Sequence, residues 1–132
     1  MGSPPSGRCI LIVEDNADAR EALRVLLELE GHTVEAAAEG RQAIEIARAK
    51  DLDIALVDIG LPGLDGYEVA RQLRAPAGRR PVLIALTGYG QAEDRQRATD
   101  AGFDDVMVKP VDPTALTTLL ATLEIPGRES RG

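Results

Sequence analysis

Four short apolar runs in this sequence each end in side chains that can bind a metal ion or a phosphoryl group. The set consists of three carboxylates, one hydroxyl and one ammonium group, on Glu14, Asp15, Asp58, Thr87 and Lys109. Three carboxylates brought together repel one another and need a compensating charge. Mg²⁺ supplies such a charge, because it takes oxygen ligands, keeps several waters and commonly shares its shell with a phosphate. Brought together by the fold, these side chains predict a Mg²⁺ site for phosphoryl chemistry.

Of the three carboxylates, Asp58 is the predicted nucleophile. It stands alone at the end of the most apolar run, whereas Glu14 and Asp15 form a pair that is better suited to metal binding. A carboxylate can attack phosphorus and form an aspartyl phosphate. Thr87 can donate a hydrogen bond to a phosphoryl oxygen, and Lys109 can offset the charge that spreads over it, as phosphoryl transfer requires.

These side chains meet only where the apolar runs are strands of one parallel sheet. Wholly apolar runs are typical of strands buried on both faces. The segments between the runs have helical patterns, so a βα unit occurs five times and predicts an α/β fold with a doubly wound five-stranded parallel sheet and five helices. The carboxyl ends of the strands in such a sheet form the ligand site. The predicted strands are 9–13, 33–37, 54–57, 82–86 and 106–108.

Capping residues predict where the helices begin and end. Asn16 is predicted to cap the first helix, and Gly31 to end it. Asp65 begins a motif that resembles a capping box. Asp112 followed by Pro113 provides an N-cap and a first-turn proline for the last helix. Each helix is thereby predicted to begin close to the end of the strand before it.

Length and composition fit a single compact domain. The chain has 132 residues, of which 44% are hydrophobic, and we predict a domain over 8–125 between a flexible leader, 1–7, and a flexible tail, 126–132. A net charge of −7 without a Lys/Arg cluster argues against nucleic-acid binding. No apolar run reaches the roughly 18 residues of a membrane span, and Cys9 is the only cysteine. We therefore expect a cytoplasmic protein without membrane insertion.

Taken in order, these motifs resemble the receiver domain of two-component response regulators. Residues 58–66 (DIGLPGLDG) are similar to the phosphorylation loop of that family, and residues 85–90 (ALTGYG) and 101–110 (AGFDDVMVKP) resemble its next two blocks. The resemblance covers residues 8–125, nearly the whole chain. It implies a flavodoxin-like fold with the strand order 2-1-3-4-5.

The resemblance also implies a function for the acidic residues. Asp58 would take a phosphoryl group from the phosphohistidine of a histidine kinase or a phosphotransfer protein. Mg²⁺ would be ligated by Asp15, Asp58 and the backbone carbonyl of Gly60, with Glu14 acting through a metal-bound water. Such a domain catalyses its own phosphorylation and dephosphorylation, and it is not a metabolic enzyme.

On the phosphoryl side, the resemblance implies that Thr87 and the backbone N–H of Gly88 hold the group while Lys109 pairs with it. It further implies a cis peptide bond between Lys109 and Pro110. The sequence departs from the family pattern three positions before the lysine, where an aromatic residue usually stands. Val106 occupies that position, and a valine has no ring to rotate, which argues against a switch driven by an aromatic side chain.

Two residues near the predicted site leave the phosphoryl lifetime open. Gly60, two positions after Asp58, leaves the site accessible to water. Tyr89, two positions after Thr87, is either a cover for the site or an ordinary exposed loop residue.

Three other functions fit parts of the sequence less well. A Mg²⁺-dependent phosphatase with an aspartate nucleophile needs a second acid two residues later, where this chain has Gly60. A flavin carrier needs a hydroxyl-rich phosphate loop after the first strand, but residues 14–18 are mainly acidic. A receiver fold that only docks partners is the third alternative, and the complete acidic set argues against it.

The output of the signal is expected to pass to an unknown downstream protein, because no output domain is expected after the last helix. The resemblance implies that the fourth helix, fifth strand and fifth helix form the contact. A free single-domain regulator and the receiver of a hybrid histidine kinase both fit, and the motifs at residues 87–90 (TGYG) and 102–105 (GFDD), which resemble hybrid-kinase receivers, slightly favour the second. His32, the only histidine, is predicted to be a surface residue in a turn.

Overall fold

The computed structural model describes residues 7–60, 65–74, 81–88 and 92–123, with only the backbone described for 92–94. Strands and helices alternate within these ranges, and none of the described helices is long and apolar enough to cross a membrane. The strands are β1 (Cys9–Val13), β2 (Thr33–Ala37), β3 (Ile54–Asp58), β4 (Val82–Thr87) and β5 (Asp105–Val108). The helices are α1 (Ala17–Leu29), α2 (Gly40–Ala49), α3 (Gly66–Arg74), α4 (Ala92–Ala101) and α5 (Pro113–Thr122).

The strands form one parallel sheet in the order β2-β1-β3-β4-β5. The predicted fold class and strand order are therefore confirmed. In the register of the sheet, Val13 pairs with Val57 and Thr87 pairs with Val108. The carboxyl ends of β1, β3, β4 and β5 consequently lie side by side at one edge.

The sheet separates two apolar layers, because alternate side chains of a strand point to opposite faces. On β1, Leu11 and Val13 belong to one layer, while Ile10 and Ile12 belong to the other. Helices α2, α3 and α4 cover the first layer, and α1 and α5 cover the second. This burial on both faces explains why the inner strands are apolar up to their last residues.

Side-chain caps begin α1 and α5 as predicted. The Oδ1 atom of Asn16 accepts a hydrogen bond from the backbone N–H of Ala19 at 2.8 Å, and Asp112 accepts one from Thr114 at 3.3 Å. Helix α1 ends before Gly31, whose φ of 95° lies in the left-handed region that favours glycine. These local signals fix where α1 begins and ends and where α5 begins.

The predicted capping box at the start of α3 forms in part. The Oδ1 atom of Asp65 accepts a hydrogen bond from the backbone N–H of Glu68 at 2.9 Å. The Glu68 carboxylate accepts hydrogen bonds from Arg71 and Gln72. Pro76, which was predicted to end this helix, lies outside the described residues.

His32 is buried, so the prediction of a surface position is wrong. The residue is only 9% exposed, and its Nδ1 atom accepts a hydrogen bond from the backbone N–H of Arg8 at 3.3 Å. Burial lowers the pKa of His32, and the charge of Arg8 lowers it further, against a smaller opposing effect of Glu30. The fold therefore favours the neutral imidazole.

This buried histidine predicts a loss of stability in mild acid. As the pH falls below the ordinary His32 pKa of 6.5, the unfolded chain takes up a proton before the folded chain does, so the free energy of unfolding decreases. Urea unfolding of the wild type and of His32→Asn at about pH 8 and about pH 5.5 measures this effect. The variant keeps an acceptor near the position of Nδ1 but cannot titrate, so its loss should be smaller. Equal losses in both proteins would contradict the prediction.

Candidate functional site

Three carboxylates converge at the edge of the sheet where the strands end. One carboxylate oxygen from each of Glu14, Asp15 and Asp58 lies within 4.8 Å of the others. Glu14 is 1% exposed and Asp58 is 7% exposed, whereas Asp15 is exposed. The chain thus places two of the three charges where water screens them poorly.

Lys109 supplies the positive charge that faces this cluster. Its Nζ atom lies 2.9 Å from Glu14 Oε1 and 3.2 Å from Asp58 Oδ2. Burial lowers the pKa of Lys109, but the contacts with Glu14 and Asp58 outweigh burial, so the net shift is upward. The backbone N–H of Lys109 also donates to the carbonyl of Thr87 at 2.7 Å. This bond fixes the backbone of Lys109 against β4. The Lys109–Pro110 peptide bond is cis, as the resemblance implied.

The carboxylate of Glu14 has one oxygen with a hydrogen bond and one without. Oε2 accepts from the backbone N–H of Asn16 at 3.0 Å. Oε1 is buried and close to Lys109, yet the geometry of that contact does not make a hydrogen bond. Burial raises the pKa of Glu14, although the Asn16 and Lys109 contacts lower it; Asp58 adds to the rise. A water bound to a divalent cation would donate to Oε1 and satisfy this oxygen, so the donor set fits Mg²⁺.

Asp58 is held from two sides. Its Oδ1 atom accepts a hydrogen bond from the backbone N–H of Gly60 at 2.8 Å, and its Oδ2 atom faces Lys109. These contacts orient the carboxylate toward Glu14 and Asp15 across the end of the sheet. An oriented, charged carboxylate of this kind can act as a nucleophile or as a metal ligand.

Thr87 and Gly88 complete the same edge. Thr87 is the last residue of β4, is 3% exposed, and pairs with Val108 of β5. Gly88 follows it beside open space, because a Cβ atom added there would meet no atom within 4 Å. The edge therefore holds every residue that the sequence predicted for the site, with the acidic cluster and the Thr87–Gly88 turn on neighbouring strands.

Two further predictions concern residues near the site. Val106, at the position where the family usually has an aromatic residue, is half-buried and packs against the first core layer. Tyr89, the candidate cover of the site, lies outside the described residues.

Sequence reasoning missed Arg20 and Gly66. Arg20 on α1 donates from Nη1 to the carbonyl of Glu14 at 2.9 Å. Helical side chains point toward the N-terminus of their helix, and this rule places a long side chain of the first turn near the preceding strand end. Gly66 starts α3 against the backbone of Asp58, a long-range contact that no local pattern reveals.

Gly66→Ala is expected to destabilise the domain by about 3 kcal/mol. The added Cβ would lie 2.5 Å from the carbonyl oxygen of Asp58 and 2.5 Å from the Cα atom of Ile59, and backbone atoms cannot yield as a flexible side chain can. Gly60→Ala is the matched control, since its Cβ would make an ordinary contact at 3.5 Å with Asp58 Oδ1. Urea unfolding compares the two. Equal stability of both variants would show that α3 shifts freely from β3.

An apolar cavity of about 510 Å³ opens beside the site, between α1 and the segment that joins β5 to α5. Glu14 and Lys109 form its border with the acidic cluster. Helix α1 also exposes Val25 and Leu29. The remaining lining residues are Ala19, Ala22, Leu23, Leu26, Leu86, Pro110, Val111 and Pro113.

Comparison with known proteins agrees with this geometry. Residues 10–121 match the response regulator receiver domain. The chain belongs to that family. The receiver is a signalling domain of two-component systems and not a metabolic enzyme, which confirms the resemblance seen in the sequence.

Two relatives are similar to the chain over most of its length. The chain is 38% identical over 112 residues to a 14.6 kDa protein of Leptolyngbya boryana, covering 84% of this chain and 86% of that protein. It is 40% identical over 114 residues to the response regulator MprA of Mycolicibacterium vanbaalenii, covering 86% of this chain. The match covers 48% of MprA, so the chain spans about half the length of that regulator.

Two solved structures resemble the fold closely. The receiver domain of the sensor histidine kinase PA1611 from Pseudomonas aeruginosa, which has a magnesium ion in its active-site cleft, is 37% identical with a TM-score of 0.79. That match covers 86% of this chain and 94% of the other. The receiver of Ssk1 from Saccharomyces cerevisiae, in complex with the histidine phosphotransfer protein Ypd1, is 27% identical with a TM-score of 0.81 and covers 87% of both chains.

Proposed function

We propose that Asp58 accepts a phosphoryl group from the phosphohistidine of a histidine kinase or a phosphotransfer protein. The observation that carries this proposal is the convergence of Glu14, Asp15 and Asp58 to within 4.8 Å, with Lys109 facing two of them. In this site Mg²⁺ would be held by Asp15, Asp58 and the carbonyl of Gly60, with Glu14 acting through a bound water. The ion would neutralise the charge on the carboxylates and on the incoming phosphoryl group.

In the reaction, a carboxylate oxygen of Asp58 attacks the phosphorus atom. The bond from oxygen to phosphorus forms as the bond from phosphorus to the partner's imidazole nitrogen breaks, and the imidazole leaves with the electron pair of that bond. Lys109 turns from the Asp58 carboxylate to an oxygen of the phosphoryl group. Thr87 donates from its hydroxyl and Gly88 from its backbone N–H, so charge that spreads over the phosphoryl oxygens is met by fixed donors.

The same residues support phosphorylation by small donors and later hydrolysis by water, so the domain catalyses both steps itself. Gly60 carries no side chain that could cover Asp58, and even an added Cβ would only make an ordinary contact with it. An open position of this kind lets water reach the aspartyl phosphate. This self-catalysis is the enzymatic part of the proposal.

The partner that carries the histidine is proposed to dock on the apolar cavity beside the site. Glu14 and Lys109 border the cavity, so an apolar helix seated there would bring a neighbouring histidine to Asp58. Leu29 on α1, three positions after the lining residue Leu26, is 82% exposed. The downstream protein is proposed to bind the surface of α4, β5 and α5 instead.

We also propose that the protein acts in the cytoplasm and does not bind nucleic acid. The net charge of −7 opposes a phosphate backbone. Cys9 is a free, half-buried thiol, as expected in a reducing compartment.

The test is the intact mass of the wild type after incubation with acetyl phosphate or phosphoramidate, with Mg²⁺ and with a chelator instead. We expect one phosphoryl adduct that requires Mg²⁺, and borohydride reduction followed by peptide mapping should place it on Asp58. An adduct on another residue would contradict the role of Asp58. No adduct from either donor would favour the alternative of a docking module.

A further inference from the structure

We propose that Arg20 is a positioning residue for the Mg²⁺ site, because its guanidinium holds the backbone of Glu14 and Asp15 so that their carboxylates face Asp58. This inference rests on the proposed function of the acidic cluster. It assigns to α1 a part in building the site, in addition to covering the core.

The contacts of Arg20 are made to backbone oxygens. Its Nη1 atom donates to the carbonyl of Glu14 at 2.9 Å and makes a longer contact of 3.5 Å with the carbonyl of Asp15. The side chain is half-buried on the first turn of α1. Within the ranges that the structure describes, Arg20 forms no ion pair. Its charge is thus directed at two neighbouring carbonyls of the loop that carries both acidic residues.

Other hydrogen bonds also hold this loop, among them the one from the backbone N–H of Arg20 to the carbonyl of Asn16 at 2.9 Å. The backbone N–H of Glu14 donates to the carbonyl of Ala37 at 3.0 Å, and the N–H of Asn16 donates to the Glu14 carboxylate at 3.0 Å. Arg20 adds contacts with the carbonyls of Glu14 and Asp15. A change in the backbone torsion angles of Asp15 would move its exposed carboxylate away from the cluster and would also displace the carbonyls that Arg20 contacts. The contacts of Arg20 therefore oppose that change.

Electrostatics and positioning predict opposite effects of removing Arg20. A nearby positive charge repels Mg²⁺, so the loss of that charge alone would tighten Mg²⁺ binding. Loss of an outer contact that orients metal ligands weakens metal binding, typically about 10- to 100-fold. The direction of the change in Mg²⁺ affinity therefore decides between the two roles.

Arg24 provides a matched control on the same helix. It pairs with Glu21 and Glu28, both exposed, and it lies one turn further from the loop. Arg24→Met removes the same charge as Arg20→Met, and methionine suits a helix about as well as arginine. A difference between these two variants therefore reports the contact with the loop carbonyls.

The experiment titrates Mg²⁺ into the ¹⁵N-labelled wild type, Arg20→Met and Arg24→Met while the amide shifts of Asp15 and Asp58 are followed. We expect Arg20→Met to bind Mg²⁺ about tenfold more weakly than the wild type, whereas Arg24→Met binds as tightly or slightly more tightly. Arg20→Lys, which keeps the charge and a donor, should recover part of the affinity. The metal-free spectra should differ from the wild type at Asp15 and Asn16 in Arg20→Met alone.

Each other outcome has a distinct meaning. Arg20→Met that binds Mg²⁺ as tightly as Arg24→Met, or more tightly, overturns the positioning role while the site itself stands. A wild type that binds no Mg²⁺ overturns the proposed function instead. Should Arg20→Met not fold, Arg20→Gln is measured in its place and judged by the same comparison.

Discussion

Asp58→Asn is expected to lose the Mg²⁺-dependent phosphoryl adduct completely while the domain stays folded. The amide of asparagine is not a nucleophile toward phosphorus under these conditions, and it also removes one of the three carboxylates that attract the metal. The fold should survive because the amide oxygen can still accept the hydrogen bond from Gly60, which lies 2.8 Å from Asp58 Oδ1. Lys109 keeps its contact with Glu14. Intact mass and far-UV circular dichroism measure the two properties.

Asp18→Asn is the matched control for this variant. Asp18 is an exposed carboxylate on the first turn of α1, near the same edge but outside the acidic cluster. We expect it to form the adduct as the wild type does. An adduct on Asp58→Asn would move the phosphoacceptor to another residue. A loss of folded signal in Asp58→Asn would make Asp58 a structural residue and remove the main support for its role as nucleophile.

The sequence was sufficient to predict the sheet because its signals are local and strong. An apolar run of five residues, such as Cys9–Val13, is recognisable without any knowledge of its neighbours. The caps Asn16 and Asp112 accept hydrogen bonds from residues two or three positions away, so they too depend only on nearby sequence. The choice of candidate site residues followed from one geometric rule, since parallel strands bring their carboxyl ends to one edge.

The pairwise contacts inside the site could not be read in the same way. The side chain of Lys109 lies between those of Glu14 and Asp58. This position depends on the length and rotamers of side chains from three strands. That Gly66 touches the backbone of Asp58 depends on how closely α3 packs on β3. Such distances are set by tertiary packing, which a single sequence does not encode in any local pattern.

The prediction of a surface position for His32 failed for the same physical reason. A histidine next to Gly31, at the end of a helix, has the local features of a surface turn. Its partner is the backbone of Arg8, 24 positions away in the chain. The side chain of Arg8 in turn donates to the carbonyls of Leu120 and Leu123 at the end of α5. A contact that joins both ends of the domain becomes visible only when the strands and helices have been placed.

Lys109→Met is expected to slow phosphorylation by a small donor about 100- to 1,000-fold, the usual effect of removing one group that stabilises the transferring charge. Mg²⁺ affinity should rise at the same time, because the variant lacks a positive charge that competes for Glu14 and Asp58. A variant with tighter metal binding and slower transfer separates the two functions of the site. Intact mass gives the phosphorylation rate, and titration gives the Mg²⁺ affinity. Lys109→Arg is the control, because it keeps the positive charge.

The same variant should also depend on pH in a defined direction. Burial already raises the pKa of Glu14, and loss of the Lys109 contact, which lowers it, raises the pKa further. As the pH rises above the ordinary value of 4.5, the unfolded chain releases the Glu14 proton before the folded chain does, so the free energy of unfolding falls. Stability of Lys109→Met relative to the wild type should therefore decline from about pH 5 to neutral pH and recover when Mg²⁺ is added. If the stability of Lys109→Met is lower than that of the wild type by the same amount at every pH, with and without Mg²⁺, then Lys109 stabilises the fold through packing. In that case neither a proton nor a metal ion would be replacing its charge.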